Sequence, residues 1–147
     1  MIKTCCLISE NPLSLSDAFA FIGNDSHGAQ AFFVGTVRNH HNGKAVIGMQ
    51  YDMHTPLAQT VLQTIADEAI TQWGDGRVYL AHRYGELSLG ESSVIVAASC
   101  AHRDASFSVC RFLIEQIKQR LPVWKKEHYH DGYSTWLPGH TLHASTC

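Results

Sequence analysis

At 147 residues, with a formal charge of −2 and a pI near 6.5, the chain has the length of one domain and no bulk electrostatic attraction for nucleic acid or membranes. A composition of 45% hydrophobic and 16% charged residues excludes wholesale disorder, and no apolar run approaches the roughly 20 residues that a membrane helix needs. The opening "MIKTCCLISENPLSLSD" lacks the apolar core of a signal peptide, so the expected location is cytoplasmic. Five cysteines, an odd number without a CxxC pair, argue against a disulfide framework and a thiolate zinc site. The expectation for them is buried thiols plus a loose C-terminal one.

In chain order, residues 2–9 read as a strand and 13–23 as a short helix closed by Gly23. The apolar, β-branched run 29–39 is a strand, and the Asn42-Gly43 turn signal predicts that 45–53 returns as its hairpin partner. Thr55-Pro56 opens a helix with Thr55 as N-cap. Leu57, Val61, Ile65, Ala69 and Trp73 recur at i+4 as its apolar stripe, and Gly74 stops it. Two further strands, 77–85 and 92–100, flank the turn-rich "ELSLGE". Asp104 caps a third helix with Phe107, Cys110, Ile114, Ile117 and Leu121 as its buried face, and Asp131-Gly132 marks a final hairpin. Hairpins outnumber βαβ units, so a single, mostly antiparallel α+β domain with about three helices is expected.

Charge concentrates at both ends of the third helix. His102 and Arg103 stand at its entry, where unpaired N–H groups and the helix dipole already favour an anion, and Arg can grip a phosphate with two parallel hydrogen bonds. At its exit, "IKQRLPVWKKEHY" packs Lys118, Arg120, Lys125 and Lys126 into nine positions. On an unbroken helix Lys118 and Lys125 would lie about 10 Å apart along one face. Pro122 breaks the helix and lets the chain turn back, so that both ammonium groups can approach one point. The alternative for the helix end is a set of solvated cations favoured by the dipole, with Trp124 as a packing residue. Arg38, at the end of its strand before "NHHNG", is either a site residue or a solvated strand terminus.

Ten histidines, among them His40-His41, His128/His130 and His140/His143, form no HExxH and join no cysteine cluster, so no metal is expected. No GxGxxG, P-loop, GxSxG or Ser-His-Asp order is visible.

Taken together, "FFVGTVRNHHNGKAV" (32–46), "HRYGELSLGESSVIVAASCAHRDASF" (82–107) and "CRFLIEQIKQRLPVWKKEHYHDG" (110–132) resemble the catalytic, large subunit of molybdopterin synthase, in that family's order and spacing, over roughly residues 28–137. The resemblance implies an α/β-hammerhead type of α+β fold and a central homodimer. It implies a small ubiquitin-like sulfur-carrier subunit on each copy, giving a heterotetramer, with the carrier's Gly-Gly tail inserted in the active site as a thiocarboxylate. Two sulfurs pass in succession to cyclic pyranopterin monophosphate, giving the molybdopterin dithiolene of molybdenum cofactor biosynthesis; no cofactor is implied. The pattern assigns Lys118 and Lys125 as catalytic lysines, Arg38, His102 and Arg103 to the phosphate and pterin, Phe33 as a pocket aromatic, and Lys126 a less defined part. Cys100 and Ser106 depart from the pattern as small replacements. "MQYDMHTPLA" matches only loosely, and the last ten or so residues, after Leu137, have no counterpart and are expected to be mobile. A non-catalytic phosphate- or pterin-binding module on the same scaffold is the alternative, and a histidine-based metal enzyme a third reading.

Overall fold

A computed structural model of the chain describes residues 3–138. Those residues form, in order, β1 (Thr4–Ser9), α1 (Leu15–Ile22), β2 (Ala29–Thr36), β3 (His40–His41), β4 (Lys44–Met53), α2 (Thr55–Trp73), β5 (Arg77–Arg83), β6 (Gly85–Ser88), β7 (Ser92–Cys100), α3 (Arg103–Arg120), β8 (Val123–Tyr129) and β9 (Ser134–Trp136). The expected α+β architecture is therefore present: three helices on sheets whose only parallel pair, among the described residues, is β1 with β5. The expectation for the C-terminal tail, with His140, His143 and Cys147, falls outside the described residues apart from Pro138.

The first sheet has strand order β1-β5-β7-β2. Its two central strands are apolar on both faces, as strands covered on both sides must be. Tyr79, Ala81, Ile95 and Ala97 turn to α1, where Ala18 and Ile22 meet them. The alternate residues Val78, Leu80, Val94, Val96 and Ala98 turn to the main core beneath α2 and α3. The second sheet has the order β3-β4-β8-β9 with β6 also on β4, and β5 of the first sheet leads directly to β6 of the second.

Several local expectations shift. Strand 29–39 meets 45–53 only at its end, where the Val46 N–H donates to the Asn39 carbonyl at 2.9 Å: β2 itself pairs with β7, and the Asn42-Gly43 turn, both residues at positive φ, joins β4 to the two-residue β3. The turn chemistry was legible, but the partner was set by the sheet. Part of "ELSLGE" is strand, because β4 offers β6 an edge to pair with. The α2 N-cap is His54, whose Nδ1 accepts from the Leu57 N–H at 3.2 Å, which places Thr55 inside the helix. The α2 stripe is rotated too: Ala58, Leu62, Ile65, Ala66 and Ala69 are buried, while Leu57 is exposed. A strict i+4 repeat wanders about 160° around the helix over five members, so it cannot stay on one face.

On α3 the cap is His102 rather than Asp104, and the buried face is Ser106, Val109, Cys110, Leu113 and Ile117. Phe107 points outward and is 66% exposed. The helix ends at Arg120, with Leu121 extended and fully buried as its C-cap, and Pro122 leads straight into β8. The Asp131-Gly132 hairpin forms as expected between β8 and β9.

Candidate active site

The turn at Leu121-Pro122 does what the sequence permits. Lys118, in the last turn of α3, and Lys125, the third residue of β8, line one cavity of about 300 Å³ with Arg38 and Phe33. β8 alternates: Lys125 and Glu127 face the cavity, whereas Lys126 lies on the other side with its ammonium over the Trp136 ring, 5.5 Å from the centroid. Lys126 is thereby removed from the pocket.

Arg38 is placed by the end of β2. The Val37 N–H donates to the Glu91 carbonyl at 3.0 Å and its own carbonyl accepts from the Gly90 N–H at 2.8 Å, so the residue before Arg38 is held at both backbone groups. Glu91 holds that turn, accepting from the Ser88 N–H at 2.7 Å and pairing with Arg83 at 2.9 Å; these contacts keep its carboxyl below the usual range. Gly35 lets β2 approach β7, since a Cβ there would sit 2.7 Å from the Val94 Cγ1, and the register of the pair shifts between Gly35 and Thr36. The glycine of "FVGTVR" thus meets a packing requirement one turn of chain from the arginine.

His102 and Arg103 lie elsewhere. They open α3, and the fifteen residues to Lys118 span about 22 Å of helix, so they do not line the lysine cavity of their own chain. Between the two ends, β2 and α3 border an apolar groove containing Phe32, Phe33, Phe107, Cys110 and Ile114. Phe33, 39% exposed, belongs to both groove and cavity.

One cavity carboxylate was not singled out from sequence, and the histidine bonded to it was weighed only as a metal ligand. Glu127 is 3% exposed and lines the cavity; its Oε1 accepts from His41 Nδ1 at 2.8 Å and from the Tyr129 hydroxyl at 2.9 Å. Burial, then the contact with Glu127, raises the Tyr129 phenol above its ordinary value and keeps it a donor. Lys44 caps the Tyr129 ring at 4.8 Å. "WKKEHY" showed the carboxylate next to the lysines, but only strand alternation puts it on the face of Lys125.

The remaining chemistry-bearing groups are structural. Ser99, His27 and Asp75 form a line, with Ser99 Oγ 2.8 Å from His27 Nδ1 and Asp75 Oδ1 3.0 Å from Nε2. Ser99 is fully buried and its hydroxyl donates to the Ile22 carbonyl at 2.6 Å, so this staple fastens loops and holds no free nucleophile. Burial pushes the Cys6 thiol up to about 12 and the Cys110 thiol to about 11, and raises Cys5 and Cys100 as well. Among the described residues no three His, Cys, Asp or Glu side chains gather as for a metal, and no helix is long and apolar enough to cross a membrane.

Comparison with known proteins gives one answer. The family model described as "MoaE protein" matches residues 8–120. The molybdopterin synthase catalytic subunit of Synechococcus elongatus is 43% identical over 136 residues, which is 92% of this chain and 82% of that protein. Molybdopterin synthase from Staphylococcus aureus superposes with a TM-score of 0.84 at 31% identity, covering 89% of this chain and 95% of that one. A complex of subunits 1 and 2 of molybdopterin-converting factor from Helicobacter pylori shares the fold, with a TM-score of 0.71 at 22% identity and 97% of each chain covered. With its cavity lysines, its three quoted segments and these relatives in agreement, the chain belongs to the MoaE protein family.

Proposed function

We infer that the chain is the catalytic subunit of molybdopterin synthase, a sulfurtransferase acting in the cytoplasm as one domain. It takes sulfur from the C-terminal thiocarboxylate of a small ubiquitin-like carrier subunit and adds it to cyclic pyranopterin monophosphate. The observation that carries this reading is the convergence of Lys118, Lys125 and Arg38 on one cavity. Counted formally, Lys118, Lys125 and Arg38 against the one carboxylate, Glu127, give +2, and the reactants, a thiocarboxylate and a cyclic phosphodiester, bring two negative charges.

In this reading Lys118 stabilises negative charge at the thiocarboxylate carbon and Lys125 assists at the pterin, while Arg38 holds phosphate. Phe33 lends an apolar wall. His102 and Arg103 complete the phosphate site from a second copy of the chain. A two-fold interface pairs a surface patch with itself. The groove between β2 and α3 is the apolar patch bordering the cavity, and it has Phe33 near one end and Phe107, one helical turn from Arg103, near the other. Its self-pairing carries the α3 entry of one copy towards the lysine cavity of the other.

The experiment is conversion of cyclic pyranopterin monophosphate by the purified chain with thiocarboxylated carrier subunit, following dithiolene product and carrier consumption. The expected result is molybdopterin with two carriers spent per product. Binding of the phosphate without turnover would leave only the non-catalytic module.

A further inference from the structure

Sulfur transfer imposes a chemical demand that the lysines do not meet. Once the carrier's sulfur is bonded to a pterin carbon, the carrier remains attached through its terminal acyl carbon, and an oxygen must replace that sulfur before the carrier leaves. Water is the simplest source, and water attacking an acyl carbon needs a base. Among the described side chains lining the cavity, Arg38, Lys118 and Lys125 are cations, and Glu127 is the one carboxylate. It is also oriented: His41 and Tyr129 both donate to Oε1, and neither contact uses Oε2. A carboxylate whose one oxygen is fixed by two donors, in a buried site next to cations, has the arrangement of a preorganised base.

We propose that Glu127 is the general base that releases the spent carrier, with His41 as its positioning residue. The inference rests on the sulfur-transfer reading above. In the step, a water oxygen forms a bond to the terminal acyl carbon of the carrier while one water proton passes to Glu127 Oε2. The carbon–sulfur bond on the carrier side breaks, and its electron pair stays on sulfur as a thiolate on the pterin. The carrier departs as a carboxylic acid that then ionises. No electron is gained or lost overall, and Lys118 faces the oxyanion that forms in between. His41 holds the carboxylate through Nδ1–H, so its contribution is direction rather than proton transfer to substrate.

The test is a single turnover of the complete synthase with thiocarboxylated carrier and cyclic pyranopterin monophosphate, quenched at intervals and read by intact mass. Formation of the carrier–pterin adduct and its disappearance are followed separately. Gln in E127Q can still accept from His41 and Tyr129 but is no base, so the adduct is expected to form and then persist, with release slowed roughly 10²- to 10⁴-fold. E127D keeps a carboxylate one methylene back and is expected to release faster than E127Q. H41A is expected to slow release, and H41N, whose amide can donate in place of Nδ1, to recover part of the rate. Release by E127Q at the wild-type rate, equal loss in both steps, or E127D slower than E127Q would each overturn the assignment. Absence of adduct and product in the wild type would instead overturn the sulfur-transfer reading itself.

Discussion

Arg120 grips Glu68 with both arms of its guanidinium, Nη1 to Oε1 at 2.7 Å and Nη2 to Oε2 at 2.9 Å, and so ties the last turn of α3 to the middle of α2. Of the four cations around Pro122, Arg120 is therefore a clamp, Lys126 a surface partner of Trp136, and only Lys118 and Lys125 reach the cavity. The clamp sits two residues from Lys118, and its loss frees the helix end that carries the lysine. R120A is expected to cost about 0.2–1 kcal/mol, the range of a partly exposed ion pair. The hydrogen bond from Arg120 holds the Glu68 carboxyl below its ordinary value. Because the folded pKa is the lower one, the stabilisation is present above the ordinary carboxylate range and is lost as pH falls below it through the folded value. Urea denaturation of wild type and R120A should thus differ at pH 7 and converge in acid.

Strand alternation separates two adjacent lysines. K126A is expected to keep activity within about threefold of wild type, since it removes only an exposed cation–π contact. K125A is expected to lose about 10²-fold or more, as for a group that acts on developing charge. Steady-state product formation by the two variants, with carrier binding measured alongside, checks the pair. Equal losses would mean that the β8 register does not decide the chemistry.

G35A tests how Arg38 is placed. A methyl at that position meets the buried Val94 Cγ1 at 2.7 Å, and the variant is expected to cost about 1–3 kcal/mol by overpacking. Because the strand leads directly to Arg38, the Michaelis constant for the cyclic phosphate should rise together with the fall in stability. Combining G35A with V94A, which returns the space, should recover part of both.

These tests follow the division between what was legible in the chain and what was not. Element types were readable because each is a local matter: β-branched runs, the Gly74 stop, the Pro122 break, the Asp131-Gly132 turn. Lys118, Lys125, Arg38 and Phe33 were named from motifs, and one cavity gathers them. Strand partners were not readable, since β2 chooses β7 over the nearby β4 through a sheet assembled from distant segments. On α2 a strict i+4 repeat drifts off the true 3.6 period, which leaves Leu57 exposed. On α3 the 3-4 spacing holds for the buried Cys110, Ile117 and Leu121, and Phe107 at the helix entry turns outward. The pairing of Glu127 with His41, a residue weighed from sequence only as a metal ligand, was not readable because the two are 86 positions apart and meet only across the β3–β4–β8 sheet. The 22 Å between the two ends of α3 was implicit in its length, yet that His102 and Arg103 stand apart from the lysines, on which the proposal of a shared site rests, needed the cavity to be located first.

The shared site can be examined by mixing dead subunits. K118A and R103A homodimers are each expected to be inactive. If each cavity takes Lys118 from one copy and Arg103 from the other, random reassembly gives mixed dimers with one intact site, and activity returns to about a quarter of wild type. If both residues act within one chain, every site in the mixture stays defective and no activity returns.

The central claim, that Lys118 acts on the thiocarboxylate inside this cavity, is tested most directly by a single turnover of K118A with thiocarboxylated carrier and cyclic pyranopterin monophosphate. The predicted result is carrier affinity within about threefold of wild type and dithiolene formation slowed by about 10³-fold or more, the loss expected for a group that stabilises the reacting charge. Dithiolene formation at a near wild-type rate would contradict it.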